Sequence, residues 1–317
     1  MNRPTGLAQV AMKATMSSDK PRLYLSVDFE DFSHDNLRSL GAPYEPTMRR
    51  EALLRSLDVI QDYATRHFQD PRMTFFCTGI VARKCPDVVR RIADLGHEVA
   101  CHYHFHDDVR ADNLHVLSQR LSDAKAALED AGGQVVRGFR APRFSIDADD
   151  RHRYGLIEEH FDYDSSMRVD SVEECIAVRK ALGLTRLRVF PVGCHRVRRY
   201  LKPIKTGGTY LKLFPVSIGI DLLRRSTANG LLPMLYLHPY EFVADRSFMI
   251  GWKELGFLRP MKRALFYARQ TQWHVVGNKG MNTKLDRVFA EFQQGGRMCD
   301  LLATDYALSS DKTQGRP

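Results

Sequence analysis

The sequence has no apolar run near the roughly 18 residues that a membrane-spanning helix needs. Its six cysteines (Cys77, Cys85, Cys101, Cys175, Cys194 and Cys299) include no CxxC pair and are too few in 317 residues for a disulfide scaffold, so reduced thiols are expected, several of them buried. There is no internal repeat and no low-complexity segment. The first 20 residues carry basic side chains but no continuous apolar stretch, so they read as a flexible arm and not a signal peptide. A cytoplasmic protein is expected on that ground. One segment lacks acid altogether: from Arg179 to Lys212 there are ten Lys or Arg and no Asp or Glu. The net charge of +9 is therefore concentrated in that stretch. It predicts a surface for an anion, either a phosphate group, an acidic glycan or the acidic inner face of a membrane. No nucleic-acid motif accompanies it, so no nucleic-acid partner is expected.

What remains is ordinary globular composition, 44% hydrophobic and 27% charged, which excludes wholesale disorder. Short β-type runs alternate with amphipathic segments. Strands are predicted at 23–27, 73–77, 97–101, 135–139, 160–163, 186–190 and 234–237. Helices are predicted at 50–68, 86–95, 113–131, 150–160 and 217–229. This rhythm argues for an α/β protein with a parallel sheet, and the number of strands suits a barrel. Two further helices, 260–270 and 283–294, are expected in the tail. The expected organisation is an arm (1–20), a barrel (21–250) and a C-terminal extension packing on it (251–317).

Polar residues gather just after the predicted strands, where parallel α/β folds carry their sites. The first strand runs into Asp28-Phe29-Glu30-Asp31, and three carboxylates so close are costly to hold without a cation. The third runs into a segment where His102 and His106, four apart, can face one ion from a helical turn or a loop. The fourth runs into Arg140-Ala141-Pro142-Arg143, and the Arg140 fork suits a carboxylate. A late strand runs into His238-Pro239-Tyr240-Glu241, which makes His238 a candidate acid.

Taken in order, Ser26-Val27-Asp28, Thr74-Phe75-Phe76, Gly96-His97-Glu98-Val99 through His102 and His106, Arg140-Ala141-Pro142, and Leu237-His238-Pro239 resemble the polysaccharide deacetylase family, the NodB-homology domain. The match spans residues 22–245. Tyr163-Asp164-Ser165-Ser166, Phe190-Pro191-Val192-Gly193, Gly207-Gly208-Thr209-Tyr210 and His238-Pro239-Tyr240-Glu241 are similar to the bacterial exopolysaccharide-associated branch. The resemblance implies a distorted (β/α)7 barrel, one divalent metal (most often Zn2+) and removal of an N-acetyl group from an amino sugar. It implies Asp28 as base, His238 as acid, Arg140 as the orienter of the base, the Arg143 backbone N–H as oxyanion donor, and His102 and His106 as metal ligands. The family's usual third ligand directly follows the base. Here that position is Phe29, so Glu30, two residues from Asp28 and on the same strand face, is the expected ligand, with Asp31 as the alternative. The family's Asp-xxx-Trp support for the acid histidine is absent, leaving Glu241 or Asp164 to substitute. Arg196, Arg198 and Arg199 of the basic stretch, with Tyr240, are expected to meet the substrate, an amino-sugar glycan or its lipid- or nucleotide-linked precursor. The competing readings are an allantoinase-like small-amide hydrolase and a catalytically degenerate glycan-binding domain.

Overall fold

The computed structural model describes residues 20–196 and 202–304. In chain order the strands are β1 (Arg22–Phe29), β2 (Thr74–Cys77), β3 (Glu98–Cys101), β4 (Gly138–Phe139), β5 (Tyr163–Asp164), β6 (Arg168–Val169), β7 (Arg188–Val189), β8 (Val192–His195), β9 (Ile204–Lys205), β10 (Met234–Leu237) and β11 (Gln293–Gln294). The main sheet runs β10-β1-β2-β3-β4-β5-β7, with β11 beside the start of β1. Every pairing along it is parallel. This is the expected seven-stranded distorted barrel. Among the described residues no ladder joins β7 to β10; a small sheet, β6-β8-β9, lies alongside, and Gly207 just past β9 makes a single bridge to Tyr236 of β10.

The strands read as near-continuous apolar runs because helices and the barrel interior cover both their faces. In β1 every residue but Arg22 is buried. The helix Arg50–His67 turns Ala52, Leu53, Leu57, Ile60 and Ala64 inward, one stripe of a 3.6-residue period. Pro86 begins the next outer helix but one, where its missing N–H costs nothing. Gly133, left-handed at φ 67°, caps the helix Leu114–Gly132.

Parallel strands put all their carboxyl ends at one mouth of the barrel, and that mouth receives Asp28, Glu30, His102, Arg140 and His238. The helix Pro260–His274 reaches the same mouth. Its Gln270 exchanges two 2.8 Å hydrogen bonds with the Ile250 backbone, and Asn278 just beyond it donates to the carbonyls of Tyr240 and Val243. The opposite mouth is closed by the turn Met298–Ala303.

Several elements depart from expectation. A helix, Phe32–Ser39, follows β1 directly, and another, Val172–Leu182, carries the first two cations of the basic stretch, Arg179 and Lys180, in its last turn. The 283–294 segment is a helix only over Met281–Phe289, and its end becomes β11. All six cysteines are free thiols, four of them buried. Among the described residues no helix is long and apolar enough to cross a membrane.

Candidate metal centre and active site

Period two along β1 aims Asp28 and Glu30 into the mouth and Phe29 the other way, where it meets Phe75 edge-on at 5.7 Å. Glu30 is 0% exposed, and neither carboxylate oxygen has a hydrogen-bond partner. Burial pushes its pKa up to about 7. Glu30, His102 and His106 each present a ligand atom, all within 4.8 Å of one another. His106 Nε2 lies 2.9 Å from Glu30 Oε2, without hydrogen-bond alignment. Burial holds both histidines down at about 4, so they are neutral imidazoles at pH 7 with lone pairs to offer. The Arg140 carbonyl, an acceptor only, takes the His102 Nδ1–H at 2.8 Å. That bond fixes the tautomer and leaves Nε2 free for a metal. An orphaned buried carboxylate beside two neutral imidazoles is a donor set that fits a divalent cation.

His102 and His106 are not on a helical turn. The segment is a bent loop in which Tyr103 is left-handed, at φ 67°. The loop brings the two rings to 5.4 Å between centroids. Asp31, the alternative ligand, is committed elsewhere. Its Oδ1 caps the helix Phe32–Ser39 by accepting from Ser33 N at 3.0 Å and His34 N at 3.3 Å, and its Oδ2 accepts from Arg49 N.

Arg140 is 0% exposed and spends its guanidinium on the site. It donates to Asp28 Oδ1 at 2.6 Å, Ser26 Oγ at 2.9 Å and Ser165 Oγ at 2.9 Å, and lies 4.0 Å over the Phe76 ring. Burial alone would raise the Asp28 pKa, but the Arg140 charge and hydrogen bond, with His102 and His238 nearby, hold it below the usual carboxylate value. Across the mouth, burial would lower His238. The Glu241 charge and hydrogen bond, with Glu30 and Asp28 beyond, instead raise it above its ordinary value. Glu241 Oε2 accepts from His238 Nδ1 at 3.2 Å and from His238 N at 3.0 Å. Of the two candidates for this support, Glu241 supplies it, while Asp164 accepts from Ser166 N and Oγ. The His238 Nε2 faces Glu30 at 4.0 Å.

Arg143 and Phe144 are both left-handed, at φ 55° and 58°, a conformation that costs of order 1–3 kcal/mol for each non-glycine residue. The Arg143 N–H donates to no backbone acceptor among the described residues. These groups surround a pocket of about 350 Å³ whose lining includes Asp28, His106, Arg143, His238 and Tyr240. Tyr240 stacks on His238 at 5.1 Å between centroids.

Of the arginines expected at the substrate, Arg198 and Arg199 lie outside the described residues, and Arg196 is exposed and not part of the pocket lining. Lys205 lines it instead, as do Phe32 and Trp273. Sequence reasoning missed all three. Trp273 is one of only two tryptophans and comes from the C-terminal helix, a signal that its rarity offered.

The sequence profile of the polysaccharide deacetylase family matches residues 57–155, the stretch that carries His102, His106 and Arg140. Among solved structures the chain resembles a CE4 family pseudoenzyme from Bacillus anthracis at 13% identity and TM-score 0.45, covering 90% of this chain and 66% of that one. It resembles a peptidoglycan deacetylase from Bacillus subtilis at 12% identity and TM-score 0.42, covering 90% and 91% of the two chains. A family 4 carbohydrate esterase from Streptomyces lividans is similar at 13% identity and TM-score 0.42, covering 87% and 92%.

Proposed function

We propose that this protein is a divalent-metal-dependent deacetylase that hydrolyses the N-acetyl (or N-acyl) group of an amino sugar, in a bacterial polysaccharide or its lipid- or nucleotide-linked precursor. The observation that carries the reading is Glu30: a wholly buried carboxylate with two unpartnered oxygens, facing two neutral histidines. A folded protein tolerates that arrangement when a cation completes it. The exopolysaccharide branch, a cytoplasmic location, Zn2+ as the metal and contact of the basic stretch with the inner membrane face are parts of the same proposal.

In this mechanism Glu30, His102 and His106 would hold the metal. Bound there, a divalent ion supplies Lewis acidity, lowering the pKa of water and polarising a carbonyl oxygen. Asp28, kept ionised and aimed by Arg140, takes a proton as water adds to the acetyl carbonyl carbon. The Arg143 N–H donates to the oxyanion that develops. The amide C–N bond then breaks, and His238 gives its Nε2 proton to the leaving nitrogen, because an amide anion is a very poor leaving group. The Glu241 carboxylate, which raises the His238 pKa, favours the protonated form that this step needs. Acetate and a free amino sugar result. Tyr240, Phe32 and Trp273 supply apolar surface for the sugar ring.

The test is metal content measured together with acetate release across N-acetylated sugars, free, lipid-linked and nucleotide-linked. One bound Zn2+ per chain, lost in the His102→Ala/His106→Ala variant, and acetate from at least one class are expected. Metal retained by that double variant overturns the ligand set. Metal bound with no acetate from any class overturns the deacetylase reading.

A further inference from the structure

The carboxylates that line the barrel mouth face groups other than Lys205 and Arg143. Asp28 has Arg140, Glu241 has His238, and Glu30 has the two histidines. Two cations of the pocket wall are left over. Neither Lys205 nor Arg143 makes an ion pair among the described residues. Arg143 is exposed at the rim, whereas Lys205 is built in. Its Nζ lies 4.5 Å over the Phe144 ring and 5.8 Å from the Tyr236 centroid, and those two rings pack edge-on at 5.0 Å.

The backbone that carries Lys205 is fixed from both sides. Lys205 pairs antiparallel with Cys194 of β8, and β8 is pinned by His195, whose ring bonds Ser226 Oγ at 2.7 Å and Asp170. Two residues on, Gly207 bridges to Tyr236, so close that a Cβ there would lie 2.3 Å from the Tyr236 carbonyl oxygen. Lysine is ordinarily the most mobile and solvated of cations. Here it is half-buried on an aromatic platform beside Asp28 and His238, with no acid to neutralise it. Burial, with Arg168 repelling it, lowers its pKa to about 8, so it is still charged at neutral pH. A cation desolvated without a partner is a cost that a bound anion repays.

We propose that Lys205, with Arg143 at the rim, reads a negative charge on the substrate, a carboxylate or phosphate carried on the amino sugar or on the residue beside it. This rests on the deacetylase reading for its substrate but not for its test. Among the described cations of the acid-free stretch, Lys205 is then the one that faces the reacting sugar, and the substrate class is an acidic glycan or a phosphorylated precursor.

The experiment is calorimetric binding to the metal-loaded full chain. The probes are neutral N,N′-diacetylchitobiose, a disaccharide of N-acetylglucosamine and glucuronate, and N-acetylglucosamine 1-phosphate. Wild type should bind one acidic probe about tenfold or more tighter than the neutral one, the scale of a charge-assisted contact. Which acidic probe it favours separates a carboxylate from a phosphate source. Lys205→Met should abolish that preference and Lys205→Arg should retain it, which distinguishes lost recognition from a damaged fold. Lys202→Met, an exposed position in the same stretch, is the control and should keep the preference. Equal binding of all three probes by wild type, or a Lys205→Met loss as large on the neutral probe as on the acidic ones, overturns the proposal. If no probe releases acetate while the charge preference and its loss hold, the deacetylase reading fails and the Lys205 inference stands.

Discussion

Glu98 and Glu30 are both buried carboxylates at the ends of the two strands that flank β2, one at the start of β3 and one just past the end of β1. At the closed mouth, Glu98 accepts from Thr74 Oγ1 at 2.7 Å, Tyr163 Oη at 2.8 Å and Cys299 N at 2.9 Å. Thr74 Oγ1 in turn accepts from Met298 N, so the network ties the closing turn Met298–Ala303 to three strands, β2, β3 and β5. At the open mouth, Glu30 has no hydrogen-bond partner at all. Burial raises the pKa of both. Burial and a shifted pKa therefore do not separate a structural carboxylate from a functional one. The state of its lone pairs does: Glu98 is satisfied by the chain, and Glu30 is left for something the chain lacks.

The largest expected effect tests the neighbour of Glu30. Asp28→Asn keeps the shape and its place beside Arg140 but removes the base. Acetate release should fall by about 100-fold or more, the usual scale for a general base, with metal content unchanged. Wild-type-like turnover would remove Asp28 from the reaction.

The next effect separates the two glutamates directly. Glu30→Gln should weaken Zn2+ binding by about 100-fold or more, since even the groups that orient metal ligands cost 10- to 100-fold when lost. Glu98→Gln, with the same change of atoms, should leave Zn2+ affinity unchanged. Equal metal affinities in the two variants would break the comparison.

A smaller effect appears in the metal-free protein. The folded pKa of Glu30, about 7, stands above its ordinary value of 4.5. It therefore contributes stability that is fully present below about 4.5 and is lost as pH rises through about 7, on the order of 2–3 kcal/mol. His102 and His106, held at about 4, work the other way, gaining stability as pH rises toward their ordinary 6.5. The measurement is accordingly a difference: unfolding free energy at pH 5 and pH 8 in chelator, for wild type and Glu30→Gln. Wild type should lose more than the variant over that interval, and Zn2+ at pH 8 should restore wild type alone. Parallel pH profiles would mean that Glu30 is not strained by ionisation.

Much of this site was legible in the sequence because parallel strands deliver their following residues to one mouth. Asp28, His102, Arg140 and His238 each follow an apolar run, and period two puts Glu30, not Phe29, on the strand face of Asp28. The rest depended on pairings that no local pattern encodes. The spacing of His102 and His106 is the same on a helix and on the observed loop with its left-handed Tyr103. The partner that fixes the His102 tautomer is a backbone carbonyl, which has no sequence signature. Lys205 is one of ten similar cations, and only the β8–β9 register and the Gly207–Tyr236 bridge distinguish it. Asp31, the alternative ligand, is taken up by the helix it caps, a role that the three adjacent carboxylates do not spell out.

The smallest expected effect sharpens the other half of the comparison. Tyr163→Phe removes one donor from Glu98 and nothing else, because the ring stays packed against Phe190 at 5.1 Å between centroids. Glu98 keeps Thr74 and the Cys299 N–H on its other oxygen, so one lone-pair site is emptied rather than a whole carboxylate. A hydrogen bond to a charged group contributes about 1.5–3 kcal/mol and one between neutral groups about 1. The loss should therefore lie at about 1–2 kcal/mol, and because burial raises the Glu98 pKa it should be smaller in acid than in base. Denaturant unfolding at pH 5 and pH 8 reads this, with Zn2+ affinity measured on the same samples. A stability loss with unchanged metal binding assigns Glu98 to the scaffold. A fall in metal affinity would show that the two mouths of the barrel are energetically linked, and the lone-pair distinction between Glu98 and Glu30 would no longer separate scaffold from site.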